Sequence, residues 1–415
     1  MTQAFTADNL FSLFEELKAF SKETPQGGIT RLAYTDLDEQ AHKFLMDKLT
    51  ARGLIIRQDK IGNVYATLPG SDSSLGAIAT GSHVDTVPSG GAFDGAAGVL
   101  AGIYALLQFA PKQLKRDLTL IIFRAEESSR FGFSCIGSKV ITGKVNRDKW
   151  SNNRDSQGLN FFEAIEKVGY DGSDAGIAAS KITKEAISSF IEVHIEQGKC
   201  LEAIGKRIGV VTGIAAPTRF KVEVAGHADH SGATPMNQRH DALVAASDVI
   251  KDIHLAACHE SCHGTVGTVG KLDVYPNSMN VIPGSVTFYV DIRGVEVESI
   301  ARVVERFKAS VTKAAFDNQV TMTVHEISQE TPVKLDEVLC QTLEQVCQEK
   351  GVDYMTMLSG AGHDSMNMAS ICPTAMLFIP SKEGVSHHPD EHSEFDDLVL
   401  ASELLADAMK RLANQ

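Results

Sequence analysis

The run LTLIIF at residues 118–123 constrains the fold more than any other segment. A strand that is apolar on both faces has to be covered on both sides, the condition of a central strand in a parallel sheet flanked by helices. Its carboxyl end delivers Glu126 and Glu127. In open α/β sheets reactive groups gather just beyond the carboxyl ends of the strands, so a site is expected at this edge. Four further residues follow or end short apolar runs: His83 in GSHVDTV, Asp94 in GGAFDG, His194 in IEVHIEQG and His387 in GVSHHPDEH. One cleft can collect them all.

Around that strand the pattern alternates helix and strand up to about residue 212. Leu37 to Arg52 reads as a helix with an apolar stripe, Gly76 to Thr80 as a buried strand, Ala96 to Phe109 as a helix and Leu118 to Arg124 as a strand. From about Ala215 the texture changes. A strand (RFKVEVAG), a helix (Asp241 to Ala257), two strands (around GTVGKLDVY and VTFYVDIRG), a helix (Val297 to Phe316) and a strand (Gln319 to Glu326) follow. This β-α-β-β-α-β order is the ferredoxin-like arrangement. Helix and strand then resume with Leu335 to Lys350, TAMLFI and a last helix from Glu394 to Leu412. Because His387 lies in that last section, residues 214–329 are expected to be inserted into a larger domain made of 1–213 and 330–415.

A chain of 415 residues is too long for one ordinary core, which fits this division. The formal net charge of -14 argues against nucleic acid or an anionic membrane as partner, since both attract basic patches. Seven scattered cysteines do not resemble a disulfide framework, and a reducing cytoplasm is expected. The start reads as an amphipathic helix capped by Thr6 or Asp8, with no basic segment ahead of an apolar core. No stretch approaches the ~20 apolar residues that span a bilayer.

The chemistry-bearing residues gain meaning from joint placement. His83 and Asp85 form an H-x-D pair; two apart in an extended segment they point the same way, so the Asp85 carboxylate is expected to take the second ring proton of His83. Asp94 sits among glycines that let the backbone approach an ion, although an aspartate helix cap would look the same. Glu126 and Glu127 are neighbours expected to point to opposite sides, one holding a metal and the other acting as general base on a water made more acidic by the cation. Mixed nitrogen and oxygen ligands suit zinc, manganese, cobalt or nickel better than calcium. The segment CHESCH, with Cys258, His259, Cys262 and His263, has zinc-type ligands without the spacing of a standard zinc module.

Together these segments closely resemble the hydantoinase/carbamoylase amidases. That branch of the metallo-aminoacylase and carboxypeptidase superfamily holds N-carbamoyl-L-amino acid hydrolases, allantoate amidohydrolases and β-ureidopropionases. The resemblance covers nearly the whole chain and rests on GSHVDTVPSGGAFDG, AEESSRFG, HIEQG, GHADHSGATPM, NVIPG, DIRG, SGAGHD and GVSHHPDE, in the family's order. It implies an α/β catalytic domain with a mixed sheet and two metal ions, and an inserted ferredoxin-like lid and dimerisation domain. It implies that Asp94 bridges the metals, with His83 and His194 on one and Glu127 and His387 on the other, while Glu126 is the base and proton shuttle. Gln197, His230, Asn280 and Arg293 become substrate ligands by motif match, and Gly360 and Ala361 would offer backbone donors. Two positions depart from the pattern: Ser128 where many members have glycine, and Asp229 where many have asparagine. The extra carboxylate of Asp229 is expected to favour a protonated His230.

The resulting expectation is a soluble, homodimeric metal-dependent amidohydrolase acting on a small ureido carboxylate, N-carbamoyl-L-amino acids first and allantoate second. A peptidase or aminoacylase ranks third, since many of those relatives place a carboxylate at the position of His194. A non-catalytic binding protein of the same fold would be expected to lack Glu126 or a ligand, and all are present.

Overall fold

The computed structural model describes residues 5–415, which divide into two compact units. The first comprises the chain up to Thr212 with Leu335–Met357 and Gly362–Gln415; the second comprises Gly213–Lys334 and Leu358–Ala361. Gly213 and residues 330–334 and 358–361, expected in the larger domain, thus group with the smaller unit.

The LTLIIF segment is a strand, Leu118–Phe123, buried at every position. It lies in a mixed sheet ordered Ile55–Gln58, Val64–Leu68, Leu118–Phe123, Ala77–His83, Ile187–Ile195, Thr374–Ile379 and Ile208–Ile214. The middle four run parallel, and the flanking strands pair antiparallel to them. The second of the four extends to His83, beyond the expected Thr80, because pairing continues to His83 opposite Phe123. Helix Ala96–Leu106 is buried along its whole length and packs on the two central strands and on helix Phe395–Ala413. Burying each large aliphatic side chain in such a layer contributes roughly 1.5–3 kcal/mol.

The first helix, Ala7–Lys18, starts at Thr6, whose side chain accepts from the Asn9 backbone in a capping box; of the two caps expected, Thr6 is the one used. At the far end of the LTLIIF strand Arg124 is fully buried, its guanidinium held by Asp38 at 2.8 Å and by Glu39, and lying over the Tyr34 ring. A charge buried this deeply needs such partners.

In the second unit a four-stranded antiparallel sheet runs in the order Thr321–Gln329, Ala216–Ala225, Ser285–Gly294, Val266–Tyr275. Alternate residues of Ser285–Gly294 are buried, as expected where one face meets helices. Helices Ala242–His259 and Val297–Asp317 supply Val249, Ile253, Val303 and Phe307 to the core with Phe220 and Phe288 of the sheet. With two helices on one face, this strand order is the ferredoxin-like topology.

Candidate active site

All four parallel strands end at one edge, and each leads to a chemically competent group. Ala77–His83 ends in His83, and the turn after it carries Asp94. Glu126 and Glu127 follow Leu118–Phe123, His194 is the penultimate residue of Ile187–Ile195, and the loop after Thr374–Ile379 carries His387.

Asp94 is the centre of the arrangement. Its Oδ1 lies 3.2 Å from His194 Nε2 and 3.7 Å from His83 Nε2. Its Oδ2 lies 3.2 Å from His387 Nε2, which is also 3.2 Å from Glu127 Oε1. Two donor triads, His83–Asp94–His194 and Asp94–Glu127–His387, therefore share one carboxylate, each compact enough to hold a metal ion. Asp94 is not a helix cap: the N-cap of the following helix is Gly95, at φ 64°. A side chain there would also strike the His83 ring at 2.4 Å.

The imidazoles are oriented by backbone carbonyls. His83 Nδ1 donates to the carbonyl of Asp85 at 2.9 Å and His194 Nδ1 to that of Ile195 at 3.0 Å, so both present Nε2 inward. This corrects the expectation for Asp85. Its carboxylate is 3.7 Å from His83 Nδ1 and instead accepts the backbone N–H groups of Glu126 at 3.2 Å and Glu127 at 3.1 Å. The reason lies in the turn: Ala125 is left-handed at φ 52°, which swings both glutamates past the strand end and aims their N–H groups at Asp85. Glu126 reaches His83 and Glu127 reaches His387, from a turn that lies past the strand end.

Glu126 Oε2 faces His83 Nε2 at 3.7 Å, and its Oε1 accepts from the Cys135 thiol at 3.0 Å. Burial, then the charges of Glu127 and Asp364, hold its carboxyl well above the usual range. Burial works against a charged His194, but its hydrogen bond to Asp94 prevails and raises it to about 9. His387, hydrogen-bonded to Asp94 and Glu127, is raised to about 11, while burial lowers His83. Imidazolium protons at the shared carboxylate occupy the positions a divalent cation would take. The donor set fits a metal.

Gln197, expected on the substrate, lies against the shared carboxylate: its Nε2 donates to Asp94 Oδ2 at 2.8 Å, and its buried Oε1 has no hydrogen-bond partner. Gln197 and His387 are both left-handed at φ 57°, a conformation costing about 1–3 kcal/mol that concentrates at functional sites. Sequence reasoning passed over Ser386, Glu391 and Cys135, all of which bond directly to this group. For Ser386 and Glu391 the signal available was their position inside GVSHHPDEH; Cys135 lies outside every motif singled out.

The remaining expected site residues lie in the second unit. His230 pairs with Val281 in a short antiparallel bridge and is exposed; its Nδ1 accepts from the N–H groups of Gly232 at 3.0 Å and Ala233 at 3.1 Å. Nε2 is the ring nitrogen left open, and Asp229 Oδ1 accepts the backbone N–H of His230 at 2.7 Å. Arg293 donates through Nε and Nη2 to Asp291 at 3.0 and 3.1 Å and through Nη1 to the carbonyl of Gly360 at 3.0 Å. Of its five N–H groups two remain, one on each terminal nitrogen. Asn280 is exposed, its Oδ1 accepting from Ser278 at 2.9 Å. Of the two expected backbone donors, the Ala361 N–H is engaged by Ser359 Oγ at 3.2 Å, while Gly360 also holds Arg293 through its carbonyl.

CHESCH forms no metal cluster among the described residues; Cys258 contacts His254 at 3.6 Å and His263 pairs with Glu296 at 2.9 Å. All seven cysteines are free. No helix is long and apolar enough to cross a membrane among the described residues.

A mixed sheet whose parallel edge carries two donor triads on one carboxylate defines a metal-dependent hydrolase. The model of peptidase family M20/M25/M40 matches residues 79–411, and the chain belongs to that family, whose members are metal-dependent and, among its relatives, hydrolyse C–N amide bonds. The chain is 43% identical over 389 residues to an uncharacterized hydrolase of Haemophilus influenzae, covering 93% of each chain. It is 36% identical to a ureidoglycolate hydrolase of Oryza sativa, over 99% of this chain and 85% of that one. It is 34% identical to an N-carbamoyl-L-amino acid amidohydrolase of Geobacillus stearothermophilus, over 98% of both. Among solved structures, a hydantoinase/carbamoylase family amidase of Burkholderia multivorans superposes with a TM-score of 0.91 at 30% identity, covering 99% of this chain and 98% of that one.

Proposed function

We propose that this chain is a two-metal amidohydrolase that cleaves the carbamoyl C–N bond of N-carbamoyl-L-amino acids, releasing ammonia and carbon dioxide. One observation carries the reading: Asp94 turns Oδ1 to His83 and His194 and Oδ2 to His387. His83, Asp94 and His194 would hold one divalent cation and Asp94, Glu127 and His387 a second, Zn²⁺ or Mn²⁺, Co²⁺ or Ni²⁺ by ligand type. Such cations supply Lewis acidity that polarises the ureido carbonyl and acidifies water.

Glu126 is the general base. It takes a proton from the attacking water as the C–O bond forms, then gives it to the leaving nitrogen as the C–N bond breaks, so that nitrogen departs as ammonia. The carbamate left behind loses carbon dioxide and frees the amine. Asp85 acts as a positioning residue, holding the backbone of the glutamate pair. Gln197 steadies the shared carboxylate and keeps its free Oε1 for a substrate N–H. From the second unit the roles are an oxyanion donor for His230 through Nε2–H, a carboxylate clamp for Arg293 braced by Gly360 and the Ala361 loop, and a polar contact for Asn280.

Support for the substrate comes from the Geobacillus relative's name and from the two donors Arg293 leaves open. The rice relative's name supports a second reading, in which the ureido carboxylate is ureidoglycolate. Ammonia release after metal depletion and re-addition, across N-carbamoyl-L-amino acids, allantoate, ureidoglycolate and β-ureidopropionate, separates them. No metal-dependent release from any of the four would sink the amidohydrolase reading.

The same proposal includes a homodimer formed through the second unit, supported by the apolar exposure of Val266, Leu272 and Tyr275 on an edge strand of its sheet. A monomer in sedimentation equilibrium refutes it. The seven free thiols support a cytoplasmic setting.

A further inference from the structure

The two triads are built differently. His83 and His194 stand on strands with side chains 2% exposed, whereas His387 stands on a loop with its side chain 50% exposed. Something other than the sheet must hold that loop to Asp94. Glu391, four residues beyond His387, is buried and reaches back across it. Its Oε1 accepts the backbone N–H groups of Phe93 and Asp94, each at 3.0 Å. Its Oε2 is 3.1 Å from the hydroxyl of Ser386, the residue before His387, and that hydroxyl is also 3.0 Å from Asp94 Oδ2. The approach demands a bare backbone opposite: a Cβ on Gly91 would lie 2.0 Å from the Glu391 carboxyl carbon.

One carboxylate thus ties the turn that carries the shared ligand to the loop that carries the exposed one. We infer that Glu391 is a positioning residue that sets the affinity of the Asp94–Glu127–His387 metal position and leaves the strand-borne position largely unaffected. It binds no metal itself. It acts through the Phe93–Asp94 backbone and through Ser386, the kind of outer contact whose loss costs about 10–100-fold in metal affinity. The inference rests on the two-metal reading above.

The test is a Co²⁺ titration of the metal-depleted full-length protein, read by visible absorption and by competition with a chelator. Wild type is expected to take up two ions in two steps of unequal affinity; fewer than two refutes the two-metal reading itself, independently of Glu391. Glu391→Ala is expected to weaken the looser step by about 10–100-fold and to move the tighter one by less than about threefold. Glu391→Gln keeps an oxygen for the two backbone N–H groups and offers its amide to Ser386 Oγ, so it is expected to rescue most of the loss. Equal weakening of both steps, no weakening, or a Gln variant as poor as Ala overturns the inference. Should Glu391→Ala lack the far-ultraviolet circular dichroism of the metal-free wild type, Ser386→Ala decides. That variant cuts the same link by one hydroxyl, is expected to weaken only the looser step, and overturns the inference if both steps are unchanged.

Discussion

The polar groups of the two units meet opposite conditions. In the first, His83, Asp94, Glu126, Glu127 and His194 are buried and engaged by neighbouring side chains or backbone. In the second, His230 and Asn280 are exposed, and their internal bonds leave Nε2 of one and the amide nitrogen of the other uncommitted. Charge held in a low-dielectric interior has to be paired in advance, and preorganised groups of this kind supply most of the electrostatic work of catalysis. Groups proposed to admit and release a substrate gain from staying solvated until it arrives. Chemistry should therefore fail through the first unit, and substrate affinity through the second.

The sharpest test of this contrast is Glu126→Gln, which is expected to keep the metal content and lower kcat by about 10²–10⁴-fold. Retained turnover in a steady-state assay, or lost metal by elemental analysis, would remove Glu126 from its role. Arg293→Lys replaces a planar fork by a point charge and is expected to raise KM by about 10–100-fold, the loss of one charge-assisted bond, with metal content unchanged and kcat little changed. A fall in kcat alone would break the division of labour between the units.

Metal loading should also depend on pH in a way set by the first unit. His194 and His387 are raised to about 9 and about 11 in the metal-free chain, so at pH 7.5 a cation has to displace both imidazolium protons. Apparent affinity is expected to rise by about tenfold per pH unit for each proton displaced, and the slope to fall as pH passes the His194 value and that proton leaves unaided. Calorimetry in buffers of different ionisation enthalpy counts the protons; none released would contradict the pairing of His194 and His387 with Asp94. The smallest effect is expected for Asp229→Asn. Because Asp229 bonds the backbone of His230, an amide oxygen can replace it, and kcat/KM should change by less than about threefold. A shifted pH profile would restore the link between that carboxylate and the ring.

Much of the first unit was legible because burial on both faces leaves a plain record in sequence. LTLIIF and TAMLFI read as central strands, and both are fully buried. The inserted unit was readable from the order of its helices and strands, and its sheet has the 4-1-3-2 order that this arrangement implies. The flanking strands Val64–Leu68 and Ile208–Ile214 were not read, since short mixed segments carry little periodicity. The same limit applies to single atoms. Nothing in H-x-D says whether the carbonyl or the carboxylate of Asp85 meets His83; the left-handed turn at Ala125 decides it.

The chain by itself determined which residue types reach the sheet edge, because hydrophobic patterning places strands and strands end where polar residues begin. Folding in three dimensions decided how those residues divide the work. Which oxygen of Asp94 faces which histidine, that Glu391 closes on a turn nearly three hundred positions earlier in the chain, and that Gly360 braces Arg293 are all contacts between distant segments. Local propensity carries no information about such pairings; they follow from packing, which is fixed only when all the strands are in register.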